Sequence, residues 1–298
     1  MNTHKAVSIG IVLLVVLAMV QSPVRPAYAA TITVSTINDV LDAAATCGAV
    51  TVGLLPGTDG VISLREAMCA ANNNGGSDTI AFNIAGCGGV CTIQPSIALP
   101  VLTGDGTIID GYTQKGAVPA TDTTPATLLI EIDGTNVANN NGFNILSAGN
   151  VISGVVINRF GWDGIYIGGS GATGNIIAGN HIGTNVAGTA ALSNTLGGVY
   201  IAAGAQNNIV GGDTAAERNV LSGNGWEGVG IHGSNTMSNT ISGNYIGVGA
   251  GGLGNNLDGV HIYGGAKNNT VGGDRPGERS VISGGDTMVV YRTVWAGR

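Results

Sequence analysis

Short apolar runs alternate with glycine- and asparagine-rich stretches along most of the chain. From about residue 96 the runs are short and rich in Ile and Val, which predicts brief strands rather than helices. β-Branched residues recur at Ile157, Ile177, Val199, Val220, Ile241, Ile262 and Ile282, a regular internal repeat. Longer strings recur as well. Gly161-Trp162-Asp163-Gly164 matches Gly225-Trp226-Glu227-Gly228, and Gly179-Asn180-His181-Ile182-Gly183 matches Gly243-Asn244-Tyr245-Ile246-Gly247, both at one and the same interval. Gly211-Gly212-Asp213 through Arg218 matches Gly272-Gly273-Asp274 through Arg279 at nearly that interval. Three of the shorter steps account for it, so the predicted unit is a coil of about 21 residues.

A unit this short cannot bury an apolar face alone, but stacked copies can. Each strand then pairs in parallel with its equivalent one coil away, about 4.8 Å distant. Ile and Val form ladders inside, and Gly and Asn serve the corners. Asn180, Asn224 and Asn244 sit at such corners, where stacked amides can hydrogen-bond along the axis. The expected fold is an all-β solenoid, a parallel β-helix spanning 96–285. Leu is too scarce at fixed positions for a leucine-rich repeat, and neither the calcium-binding nonapeptide nor the hexapeptide period recurs. Residues 286–298 lose the repeat register. That tail is read as irregular, either one last strand or the mark of a truncated longer repeat protein.

Residues 30–95 carry a different pattern. Ser63-Leu64-Arg65-Glu66 is a capping box, and Leu64, Ala67, Met68 and Ala71 fall on one helical face. The predicted helix stops at Asn72-Asn73-Asn74-Gly75-Gly76, and a strand follows over 78–84. An open solenoid end exposes unpaired strand edges, so this region is expected to cover it. Ser63-Leu64-Arg65-Glu66-Ala67, then Ala70-Ala71-Asn72 and Gly76-Ser77-Asp78-Thr79-Ile80, resemble the CSLREA domain over roughly residues 50–84. The stretch from Leu99-Pro100-Val101-Leu102 to Ile109-Asp110-Gly111 resembles the repeats that follow that domain. The resemblance implies an exported bacterial protein with right-handed parallel β-helix repeats. The Cys that names the motif is Ile62 here.

Composition narrows the class. The 298 residues include 52 Gly and 28 Asn, which excludes a helical bundle. Charged residues make up only 10%, against roughly 25% in typical soluble domains. The net charge is −7 with no Lys/Arg run, which argues against nucleic acid or anionic lipid as a partner. Residues 1–29 read as a signal peptide: Lys5, the uncharged run Ile9 to Val20, and an A-x-A site at Ala27-Tyr28-Ala29. No later apolar run is long enough to span a membrane. Export favours disulfides among Cys47, Cys69, Cys87 and Cys91. Three connectivities are open; a local Cys87–Cys91 bridge would leave Cys47 with Cys69. The competing zinc reading lacks a second C-x-x-C pair and a nearby His.

For chemistry, Asp110, Glu131 and Asp133 are the candidate acids. Asp110 and Asp133 each precede a Gly, stand one predicted coil apart and would stack; Asp-Gly turn chemistry is the competing reading. Asp163 and Glu227 fall three predicted coils apart, roughly 14 Å, too far to act as a pair. The repeated pairs Trp162-Asp163 and Trp226-Glu227 suit stacking on sugar rings with hydrogen bonds to hydroxyls, and Asp258 occupies a similar slot without the Trp. His181, His232 and His261 lack a Ser or Cys partner at motif spacing and are read as solvent-facing. No metal or cofactor motif stands out. The expected protein is a secreted or cell-surface, non-catalytic binding or adhesion module, with extracellular polysaccharide or another surface component as partner. The alternatives are a polysaccharide lyase or glycoside hydrolase with its groove on one β-face, or a plain spacer.

Overall fold

The computed structural model describes residues 28–248 and 253–283 and the backbone of the strand Thr287–Tyr291. Lys5, the run Ile9 to Val20 and the end of the tail lie outside the described residues. Among those described there is one α-helix, α1 (Leu64–Asn74), and the rest is mainly short strands. The strands form three parallel sheets of eight, seven and six strands.

From residue 143 onward the chain visits the sheets in a constant order. Val151–Ser153 lies in the first sheet, Val155–Asn158 in the second and Ile165–Gly168 in the third, before Ile176–Ala178 returns to the first. Register pairing gives the length of a circuit directly. In the third sheet Ile165 pairs with Val199, Val199 with Val229, and Val229 with Val260, and each of these steps is one full circuit.

The expected coil length is therefore corrected upward, to roughly 30 residues, an ordinary size for a stacked repeat. Val199 and Ile262 belong to the third sheet, Val220 to the second and Ile241 to the first. These residues do not stand above one another. The shorter step is about two-thirds of a circuit, so it passes over one face and meets an Ile or Val on the one after it each time. The longer interval between matching strings is two circuits rather than three.

The ladders that do stack are buried. Ile80, Ile109, Ile152, Ile177, Val210 and Ile241 follow one another up the first sheet, each with its side chain inaccessible. Ile145, Ile167, Ile201, Ile231 and Ile262 do the same in the third. Burying one such side chain stabilises by roughly 1.5–3 kcal/mol.

Asparagines run beside these ladders. The Asn175 amide donates to Asn208 Oδ1 at 2.9 Å, Asn208 to Asn239 at 2.9 Å, and Asn239 to Asn269 at 3.0 Å. Asn180, Asn219 and Asn244 form a second row, and Asn194, Asn224 and Asn255 a third. Asn180 and Asn244 thus share a row, whereas Asn224 belongs to another.

At the N-terminal end, Thr31–Val34 and Thr79–Phe82 open the first sheet and Cys91–Ile93 opens the second, so residues 31–95 continue the same sheets. Helix α1 begins at Ser63, whose Oγ accepts the Glu66 N–H while Glu66 Oε2 accepts the Ser63 N–H. It ends at Gly75, in the left-handed region with φ 72°. The helix is buried around its whole circumference from Leu64 to Ala71. Arg65 makes a paired contact with Asp39 at 2.7 and 2.8 Å. Disulfides join Cys47 to Cys69 and Cys87 to Cys91.

Candidate functional site

The outer surface of the third sheet gathers the most unusual side chains. Just before each of its strands the chain crosses in two stacked rows. The first row is Trp162, Leu196, Trp226 and Leu257, joined by backbone bonds of 3.0–3.1 Å from each N–H to the preceding carbonyl. Trp162 and Trp226 are 44% and 47% exposed. The second row, one residue on, is Asp163, Gly197, Glu227 and Asp258, and its acidic members are buried or nearly so. The outward positions of the strands add Tyr166, Tyr200, Gly230 and His261, with His232 and Tyr263 two residues further along their strands.

Asp163 and Glu227 are two circuits apart, not three, and the expected separation is corrected accordingly. Gly197 lies between them, and its missing side chain leaves the space into which both lean. The Gly197 N–H donates to Asp163 Oδ1 at 2.7 Å. A Cβ at position 197 would stand 3.1 Å from Asp163 Oδ1 and 3.6 Å from Glu227 Cγ. Gly230 has the same effect on the other side. A Cβ there would collide with Glu227 Oε1 and lie 2.7 Å from Tyr200 Cδ2. The Tyr200 and Tyr263 hydroxyls meet across this gap at 3.1 Å. The result is a cavity of about 230 Å³ lined by Asp163, Leu196, Tyr200, Trp226, Glu227 and Tyr263.

The electrostatics follow from burial. Loss of solvent pushes the Asp163 carboxyl up to about 7 despite the Gly197 hydrogen bond, and the Glu227 charge adds to the rise. Burial, with Asp258 nearby, raises Glu227 too. Burial and the neighbouring carboxylates also raise Tyr200 and Tyr263, so both hydroxyls stay protonated and can donate. Asp258 Oδ2 lies 3.3 Å from His261 Nδ1, and the His261 ring stacks on Tyr263 with centroids 4.2 Å apart. His232 packs on Tyr263 at 4.6 Å. These two histidines are half-buried in an aromatic row. His181 is on the second sheet and takes no part in the site.

The acids Asp110, Glu131 and Asp133 do not all come together. Asp110 ends a strand of the first sheet and pairs with Ala81 and Ser153; Asp133 ends a strand of the second and pairs with Asn158. They are not stacked, and the expectation that they lie one above the other is corrected. Both do turn work. Asp110 Oδ1 accepts the Tyr112 N–H at 3.0 Å. Asp133 accepts from Thr135, Gln94 and Arg159. Burial alone would raise the Asp133 carboxyl, but those hydrogen bonds and the Arg159 charge hold it below its ordinary range. Glu131 accepts from the Thr92 hydroxyl at 2.7 Å and the Asn158 amide at 2.8 Å.

A larger cavity, about 470 Å³, lies on the second sheet against residues 120–126, with His181, Arg218 and Tyr245 in its wall. Arg218 donates to the Gly243 carbonyl and lies over the Tyr245 ring at 4.7 Å. No carboxyl pair converges there. The smaller cavity, on the third sheet, is the one where two carboxyl groups and two tyrosines line the wall.

Tyr200, Tyr263, Gly197 and Gly230 are site residues that the sequence reading missed. For Tyr200 and Gly230 the signal is present in the third position of Gly164-Ile165-Tyr166-Ile167, Gly198-Val199-Tyr200-Ile201, Gly228-Val229-Gly230-Ile231 and Gly259-Val260-His261-Ile262. That position points outward in every circuit, and it varies where the apolar positions do not. Among the described residues no helix is long and apolar enough to cross a membrane, and no group of three or more His, Cys, Asp or Glu is placed to hold a metal. Fold and site together define an all-β protein of three parallel sheets with an aromatic and carboxyl face on the third. No protein-family model and no curated protein matches the chain.

Proposed function

We propose that this chain is an exported right-handed parallel β-helix that binds an uncharged polysaccharide along its third sheet. The carrying observation is the row of exposed Trp162, half-buried Leu196, exposed Trp226 and exposed Leu257 running beside buried carboxyls and tyrosine hydroxyls. Apolar rings stack on the faces of sugars, and the adjacent polar groups meet their hydroxyls. Two strand spacings, about 9.6 Å, separate the two tryptophans, close to the length of one extended disaccharide. Every second sugar of a linear chain can then meet a Trp. The cavity wall holds acids and no Lys or Arg, so it offers nothing to a uronate or sulfate.

The winding follows from chirality. Parallel strands joined by crossovers in one sheet are right-handed in about 98% of cases. The signal-like segment 1–29 and the two disulfides support export to an oxidising compartment. Residues 30–95, with α1 and the CSLREA-like strings, act as the cover of the first circuit, and 96–285 as the repeats. A role at the cell surface or in an adhesive matrix fits this reading.

Affinity electrophoresis against neutral and acidic polysaccharides tests it. Retardation by at least one neutral polysaccharide is expected, weakened about tenfold or more in Trp226→Ala and Trp162→Ala. No retardation by any glycan would leave the chain a spacer.

A further inference from the structure

Two carboxyl groups from different circuits, Asp163 and Glu227, line one cavity, which permits chemistry as well as binding. We infer that Asp163 and Glu227 act together to hydrolyse a glycosidic bond of the neutral polysaccharide held on the third sheet. The inference rests on the glycan-binding reading and adds a reaction to it.

Two carboxyl groups with different tasks are the minimum for this chemistry. Here both line one cavity, Asp163 with Oδ1 against Gly197 and Glu227 with its carboxyl against Gly230. Their environments differ. Asp163 has Oδ1 engaged by the Gly197 N–H, which leaves Oδ2 to carry a proton. Glu227 reaches over Gly230 towards Tyr200 and takes the carboxylate's part in the proposed reaction. A buried acid beside a carboxylate keeps its proton at neutral pH, as a general acid must. Burial and the Glu227 charge hold Asp163 in that form.

The step balances with water as the only co-reactant. Asp163 gives its proton to the glycosidic oxygen as the C1–O bond breaks, and the leaving sugar departs as an alcohol. Glu227, the second carboxylate lining the cavity, bonds to C1 on the face opposite the leaving oxygen. Water then adds at C1, giving its proton to Asp163 and releasing Glu227 as the carboxylate. One water is consumed and both groups return to their starting states. The Tyr200 and Tyr263 hydroxyls, held neutral, donate to sugar oxygens beside the breaking bond. Elimination from a uronate is disfavoured, because no cation in the cavity wall offsets the substrate carboxylate.

The test uses the full chain with cello-, manno-, xylo- and chito-oligosaccharides, reading reducing-end release and, by NMR, the anomer first formed. Hydrolysis with retained configuration is expected for at least one series, falling as pH rises through about 7. Asp163→Asn and Glu227→Gln should each lower the rate by roughly 10²–10⁴-fold, far more than they weaken retardation by the same glycan. Gly197→Ala puts a methyl group 3.1 Å from Asp163 Oδ1 and should lower the rate more than it weakens retardation. Retardation without any hydrolysis, or hydrolysis that survives both acid variants, overturns the inference and leaves the binding reading standing. Absence of both retardation and hydrolysis overturns the two together.

Discussion

A carboxyl group raised to about 7 in the folded state makes stability depend on pH, and Asp163 is such a group. Its fold favours the neutral form. The contribution is fully present below its ordinary value of 3.8 and is lost as pH rises through about 7. The size is on the order of 2–4 kcal/mol. Urea unfolding of the wild type is therefore expected to move to lower midpoints between pH 4 and pH 7. Asp163→Asn should flatten that slope, leaving the smaller contribution of Glu227, which burial raises in the same direction. A slope unchanged in Asp163→Asn would mean that its carboxyl is not the group held neutral. The pairing of Asp163 with Glu227 could not be read from their separation in sequence alone. The identity of the residue between them, Gly197, decides whether their side chains can approach.

At the scale of one element, the asparagine rows do what backbone ladders cannot do at a corner. Asn208 is fully buried; its Oδ1 accepts from the Asn175 N–H and amide, and its own amide donates to Ala172 O and Asn239 Oδ1. Asn208→Ala strands several of these partners in the interior. With about 1–3 kcal/mol for each unsatisfied group, a total loss of roughly 3–5 kcal/mol is expected in urea unfolding. The neighbouring Asn207 is in the left-handed region at φ 57°, so Asn207→Gly should be nearly neutral. Equal effects at the two sites would contradict the ladder account. The helix was legible in the sequence because its signals are local: the Ser63–Glu66 box at one end and Gly75 at the other. Its burial on every side was not, because Arg65 reads as a surface residue until Asp39 and the carbonyls of Ile97 and Ala98 are found around it.

For the molecule as a whole, the circuit is the unit that can be added or removed. Deleting residues 199–228 joins Gly198 to Val229, the register partner of Val199. The shortened chain should keep its β-sheet circular dichroism and unfold cooperatively, although it loses Glu227. Deleting residues 199–219 instead joins Gly198 to Val220, a second-sheet residue, in a third-sheet place. That chain should lose cooperative unfolding. If the smaller deletion were the better tolerated, the longer circuit would be untenable. The same arithmetic governs the surface. Tryptophans two circuits apart lie on one face in line, whereas three shorter coils would have separated the acids beside them.

Local and periodic features were determined by the sequence alone. Short Ile/Val runs between Gly and Asn demand parallel stacking, since no single unit buries its own apolar face. The capping box demands a helix, and the Trp–acid pairs mark one surface. The length of a circuit belonged to the tertiary structure. With three sheets of nearly identical inward residues, a step of two-thirds of a circuit repeats as regularly as a full one, and only hydrogen-bond register tells them apart. That choice set which side chains meet. It dispersed Asp110 and Asp133 to different sheets and set Asp163 and Glu227 in the wall of one cavity.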